Sequence, residues 1–167
     1  MEVFYWEPEW PDILKKQEEI LRWTSFSRAD ALALGLELER SVREDFHGNA
    51  AIRIIEDGDV IFSYKMPGTS RENDWWMDRK LAVTIPAGVS SLRAYVEAES
   101  GQREAFWQAR PDNFAACGGC IPVFPADGGR PWAYVLVSGL EHWQDHQVIA
   151  QAMARRLGVQ IPKIRKK

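Results

Sequence analysis

Two Asp-Gly turns, each set between extended apolar runs, constrain the fold of this chain more than any other feature. Asp57-Gly58-Asp59 lies between AAIRIIED and VIFSYKM, and Asp127-Gly128-Gly129 lies between CIPVFPA and PWAYVLVS. Asp-Gly supplies the positive-φ residues of a tight hairpin, and β-branched and aromatic residues on either side favour strands. Each turn therefore predicts a pair of antiparallel strands.

The segments around the hairpins change to a helical period. Residues 10–23 place Ile13, Leu14, Ile20 and Leu21 near helical spacing, which predicts a short amphipathic helix. Ser27 and Asp30 open a second helix that runs through Leu32, Leu36 and Val42 and stops near Gly48. Thr69 followed by Glu72 reads as a capping box, predicting a helix from about 70 to 83 that ends before Pro86. A further helix is read over 91–99 with Gly101 closing it, and Ser138 with Glu141 caps a last one to about Leu157. The order ααββααββα separates hairpins by helices, so the expected class is α+β, with a central antiparallel sheet flanked by helices.

At 167 residues the chain can bury one core without help from a disulfide or a structural metal. A net charge of -3 offers nucleic acid no attractive field, and no apolar run approaches the roughly 18 residues a membrane span needs, so neither partner is expected. The opening MEVFYWEPEW carries acids where a secretory leader carries bases, and a cytoplasmic location is expected. The final KIRKK reads as a solvated basic end. Eight tryptophans, among them Trp6 and Trp10 in a segment with little other reason to be buried, point to subunit contacts and hence a homo-oligomer.

Three segments carry residues of chemical interest. In PGTSRENDWWMDRK, residues 67–80, a strand end meets a helix start. Gly68 permits close approach of the main chain, and the first helical amides could receive an anionic group. Asn73, Trp76 and Lys80 share one helical face with Arg79 beside them, an aromatic plane next to cations that suits a flat, acidic ligand; the plainer reading is a cap at Thr69, a core Trp76 and solvated or paired cations. In AACGGCIPVF, Cys117 and Cys120 bracket Gly118 and Gly119. A C-x-x-C pair can shuttle a disulfide or hold half a zinc site, but this one enters a strand, and its paired glycines point to close backbone approach. In SGLEHWQDHQ, His142 and His146 follow one helical stripe with Asp145 between them. With the cysteines they could complete a zinc set, although a histidine on an apolar stripe is more often a core residue. No nucleophile elbow, P-loop or dinucleotide fingerprint occurs.

PGTS, the Asn73-x-x-Trp76-x-x-Arg79-Lys80 run, GG-x-x-P at Gly118 to Pro122 and VSGL-x-x-x-x-DH at Val137 to His146 occur together in this order. In that combination, over about residues 25–158, the chain resembles the GlcG/HbpS-like, haem-degrading domain family, in its branch of uncharacterised proteins. The resemblance implies a profilin-like αβα fold, homo-oligomerisation and, in some relatives, binding of haem or another tetrapyrrole. It divides the chain into an N-terminal helical extension (1–24), the family domain (25–158) and a basic tail (159–167). Where the family has His-Gly-Gly-Ala this chain has Cys117-Gly118-Gly119-Cys120, so a histidine ligand does not carry over, although a cysteine thiolate can also ligate haem iron.

The expected function is a cytoplasmic, oligomeric binding protein for a small anionic or planar ligand, a tetrapyrrole being one. Thr69, Asn73, Trp76, Arg79 and Lys80 would form one wall, and Cys117, Gly118, Gly119, Cys120, Ser138, Asp145 and His146 the other. The alternatives are a thiol redox or zinc-dependent enzyme built on CGGC, and an oligomeric scaffold or adaptor in which Arg79 and Lys80 pair within or between subunits and leave no enclosed pocket.

Overall fold

In a computed structural model that describes residues 3–167, five strands form one sheet in the order β1-β4-β5-β2-β3. Both hairpins form as their turns predict: β2 (Ala51–Glu56) pairs antiparallel with β3 (Asp59–Lys65), and β4 (Cys120–Pro125) with β5 (Ala133–Ser138). The hairpins join through β2 and β5. The sheet is mixed rather than purely antiparallel, because β1 (Arg22–Trp23) adds a parallel edge against Phe124 and Pro125 of β4. Two residues carry no legible period, and the reading of 10–23 as one helix absorbed them; the helix α1 ends at Ile20.

Alternation along the strands assigns the two faces. Ile52, Ile54, Ile121, Val123, Val135 and Val137 meet α2 (Arg28–Glu44) and α5 (His142–Leu157) in the larger core. Ala51, Ile55, Cys120 and Leu136 meet Met77 of α3 (Arg71–Ala87) on the opposite face. Arg53 faces the same way and bonds Asp74 and Asp78, while Lys65 also bonds Asp74, so α3 is tied to the sheet by charge as well as by packing. A further cluster joins α1 and α3 to α4 (Ser91–Glu99) through Trp10, Leu14, Val83, Leu92 and Val96.

Helix α3 departs from its expected ends. Ser70, not Thr69, caps it: the Glu72 amide donates to Ser70 Oγ and the Ser70 amide to Asn73 Oδ1, while the Thr69 hydroxyl turns back to the Met66 carbonyl. The helix also runs past Pro86 to a left-handed Gly88, because a proline in the last turn forfeits one bond without stopping the helix. In α5 the cap is Glu141, whose amide donates to Gln144, while Ser138 completes β5 instead. Two 3-10 turns, Phe106–Ala109 and Pro111–Asn113, occupy a stretch with no periodic signal.

The ends of the chain are packed. Ile164 is buried against the α1–α4 cluster and its amide donates to Gln147; Trp10, fully buried, donates its indole N–H to the Arg165 carbonyl; and the Lys167 amide donates to the Tyr5 hydroxyl. The basic tail is therefore not a frayed end, and Trp10 fills an intramolecular core rather than a subunit contact. Glu18 reinforces the same region, accepting from the Ser90 amide and pairing with Arg93 across α1 and α4. Trp10→Ala is expected to cost about 3–5 kcal/mol in urea unfolding, and a loss below about 1 kcal/mol would contradict this packing.

Candidate functional site

Helix α3, the first turn of α5, the end of β5 and the loop before β4 meet around a buried ion pair. Lys80 Nζ lies 3.1 Å from Asp145 Oδ2 and donates to the Val137 carbonyl at 2.9 Å. Asp145 Oδ1 accepts from the Leu140 amide at 2.9 Å. Lys80 is 2% and Asp145 3% exposed, so neither charge draws on bulk water and each depends on the other. Burial pushes the Asp145 carboxyl up to about 6, opposed by Lys80 and the Leu140 and Gly139 amides, which leaves it ionised at pH 7.

The paired glycines admit this arrangement. A Cβ on Gly119, whose φ is +127, would sit 2.4 Å from the Val137 carbonyl oxygen and 2.6 Å from Lys80 Nζ. One on Gly118 would sit 2.1 Å from the His142 carbonyl oxygen. The close approach expected of the Gly-Gly centre is thus to Lys80 and to the first turn of α5.

Over this floor opens a cavity of about 460 Å³. Helix α3 contributes Glu72, Asn73, Trp76 and Lys80; the β5 end and α5 contribute Ser138 to Trp143 and Asp145; Cys117 comes from the loop before β4; and the N-terminal arm closes one side with Phe4 and Tyr5. Asn73 ties the walls together, since its Oδ1 caps α3 while its Nδ2 donates to the Ser138 carbonyl at 3.0 Å. The Trp143 indole is held by a 2.6 Å bond to Glu141.

Of the residues expected at the site, Asn73, Trp76, Lys80, Cys117, Ser138 and Asp145 line this cavity, and Gly118 and Gly119 shape its floor from behind. Thr69 does not line it. Arg79 turns the other way: its guanidinium stacks 3.8 Å over Trp75 and donates to the Asp112 carbonyl, so the expected aromatic–cation pair exists on the outer surface, with a different tryptophan. Cys120 points to the opposite side of its strand, into the cluster around Met77. His146 is buried away from the cavity, its Nε2 bonded to Gln17 Oε1 at 2.8 Å and its Nδ1 without a partner among the described residues. Because Gln17 uses its amide nitrogen on the Pro162 carbonyl, its oxygen accepts, which fixes the proton of His146 on Nε2.

The imidazole at the cavity belongs to His142, which was read only as part of a zinc set. Its Nδ1 accepts from the Gly118 amide at 3.2 Å and its Nε2 donates to the Tyr5 carbonyl at 2.7 Å, so neither nitrogen is open. Phe4 and Tyr5 were missed because they lie far from the motifs in sequence. Only their aromatic character hinted at them. Burial pushes the Cys120 thiol up to about 12, the two cysteines are not joined in a disulfide, and among the described residues no three His, Cys, Asp or Glu side chains are grouped to hold a metal.

Residues 26–154 match the family described as "Haem degrading protein HbpS-like". The chain belongs to that family. Its curated relatives are UPF0303 proteins, including one from Streptomyces coelicolor that is 35% identical over 87% of this chain and 92% of the relative, and one from Schizosaccharomyces pombe that is 31% identical over 89% and 84%. The crystal structure of the Ybr137w protein superposes with a TM-score of 0.76 at 24% identity, covering 89% of this chain and 88% of that one. The PduOC:heme complex superposes with a TM-score of 0.64 at 15% identity, covering 83% and 99%. These two structures share the fold.

The buried histidines set an acid limit on stability. Burial pushes His142 down to about 4 and His146 to about 3, below their ordinary value near 6.5, so both fold as neutral imidazoles. Their contribution is complete above pH 6.5 and is lost as pH falls toward those values, by up to about 1.4 kcal/mol per pH unit each. Asp145 and Glu18 act in the opposite sense, since burial raises their folded values. Substitution isolates the imidazole: between pH 6.5 and 4, His146→Gln should make urea unfolding less acid-sensitive by about 1 kcal/mol per pH unit; an unchanged slope would contradict the buried neutral imidazole.

Proposed function

We propose that this chain is a small-ligand-binding protein whose ligand is planar and aromatic. The observation that carries the reading is the cavity itself: Trp76, Trp143, Phe4 and Tyr5 supply aromatic walls, and the Ser138 hydroxyl and the Cys117 thiol stand among them. Its size and mix of apolar walls with a few placed polar groups are those of small-molecule sites in general. Every motif residue that reaches the cavity is held by packing or a hydrogen bond, which favours a preformed site over one assembled on binding. The scaffold alternative expects Arg79 and Lys80 to pair and no enclosed pocket; against it, Arg79 bonds the Asp112 and Trp75 carbonyls rather than a carboxylate, and a cavity stands beside Lys80.

Haem is the group that the family name and the PduOC complex bring to this fold. The cavity residues do not fit it. A haem buried here would place its propionates near cations or free amides, yet Lys80 is spent on Asp145, Arg79 faces outward, the Ser70 and Glu72 amides at the start of α3 donate to Asn73 and Ser70, and the Leu140 and Glu141 amides before α5 donate to Asp145 and Gln144. The His142 lone pair is occupied by the Gly118 amide. The anionic ligand expected from the sequence loses its binding groups for the same reason.

We also propose self-association at the open edge of the sheet, where Val60 and Tyr64 of β3 and Leu32 and Leu36 of α2 are all roughly half exposed. Exposed apolar side chains beside an unpaired strand are commonly covered by another copy.

Quinoline, a neutral two-ring heterocycle at pH 7, tests the cavity. Nuclear magnetic resonance should show saturable shifts of the Trp76 and Trp143 indole N–H signals. Trp76→Ala should weaken binding by about tenfold, while Trp132→Ala, partly exposed and outside the cavity lining, leaves it unchanged. Shifts scattered over the molecule, or equal effects of the two substitutions, would overturn the reading.

A further inference from the structure

We propose that the cavity takes a planar aromatic cation, held between its aromatic walls with the positive charge toward the Glu72 and Glu141 carboxylates. The inference rests on the cavity being a ligand site and adds the charge of the ligand.

The argument is a charge balance of the lining. Its ionisable side chains, apart from the Cys117 thiol and the Tyr5 phenol, which is neutral at pH 7, are Glu72, Lys80, Glu141, His142 and Asp145. Lys80 and Asp145 cancel at 3.1 Å. His142 is neutral, because one nitrogen accepts the Gly118 amide and the other donates to the Tyr5 carbonyl. Two carboxylates remain, Glu72 and Glu141. Glu72 has no ion pair among the described residues, and Glu141 accepts the Trp143 indole N–H and lies 3.4 Å from Lys166, an exposed and readily screened partner. Lys166 also stands 5.1 Å from the centre of the Tyr5 ring. A cation already rests on one aromatic wall, then, and the carboxylate beside it completes the recognition that a ligand cation would use in its place.

The aromatic walls give the same sign independently. The faces of Trp and Tyr rings carry negative potential and attract cations, more strongly when water is partly excluded. Trp143 is pinned by its bond to Glu141, and Trp76 is braced edge-on by Trp75 at 4.9 Å, so neither ring needs ordering when a ligand arrives. Carboxylates next to ring faces attract an organic cation twice over and repel an anion such as haemin.

The test compares two probes of the same ring, N-methylquinolinium and quinoline, by quenching of tryptophan fluorescence at pH 7 and low salt. The cation should bind about tenfold or more tightly than the neutral ring. Glu72→Gln with Glu141→Gln should remove most of that difference, weakening the cation far more than quinoline. Both positions are exposed, and far-ultraviolet circular dichroism checks the fold of the variant. Equal affinity for the two probes would overturn the charge assignment while the cavity reading survives. No binding of either would overturn both. Haemin binding more tightly than N-methylquinolinium, and more tightly still to the double variant, would show that the cavity selects an anion.

Discussion

The structure depends on one buried ion pair. Removing an ammonium and a carboxylate from water costs several kcal/mol per ion, and the cost is recovered only when each charge has a full set of partners. Lys80 and Asp145 have them: each other, the Val137 carbonyl and the Leu140 amide. Since Lys80 is on α3, Val137 on β5 and Asp145 on α5, satisfying the two charges brings three elements to one point. The glycines at 118 and 119 follow from this, because side chains there would occupy the space taken by Lys80 and the start of α5.

The same pairing governs what the cavity above it can bind. A lysine at the floor of an aromatic cavity would ordinarily attract a carboxylate or phosphate. With Asp145 against it, that attraction is spent inside the protein. On the proposed reading, the exposed carboxylates set the sign of the field a ligand meets, opposite to the anion preference expected from residue types alone.

The hairpins were legible because Asp-Gly has a local physical meaning, and so was the shared face of Asn73, Trp76 and Lys80, because helical spacing fixes it. The two-residue β1 was not, since pairing so short is decided by the strand beside it. The direction of Arg79 depended on the Asp112 carbonyl in a segment with no period, and the choice of His142 over His146 depended on Gln17 and Tyr5, each more than 125 residues away along the chain. The packed C-terminal end escaped for a similar reason: KIRKK looks solvated until Ile164 is seen to fit beside Trp10. Local chemistry read the elements; contacts between remote segments chose the orientations.

A double-mutant cycle on Lys80 and Asp145 reaches the central claim most directly. Lys80→Met and Asp145→Asn should each cost about 3–5 kcal/mol in denaturant unfolding, because each strands the opposite charge in the core. Combined, they should cost at least about 1 kcal/mol less than the sum of the two. Additive losses would mean that the charges do not depend on each other, and the account of the cavity floor would fail with them.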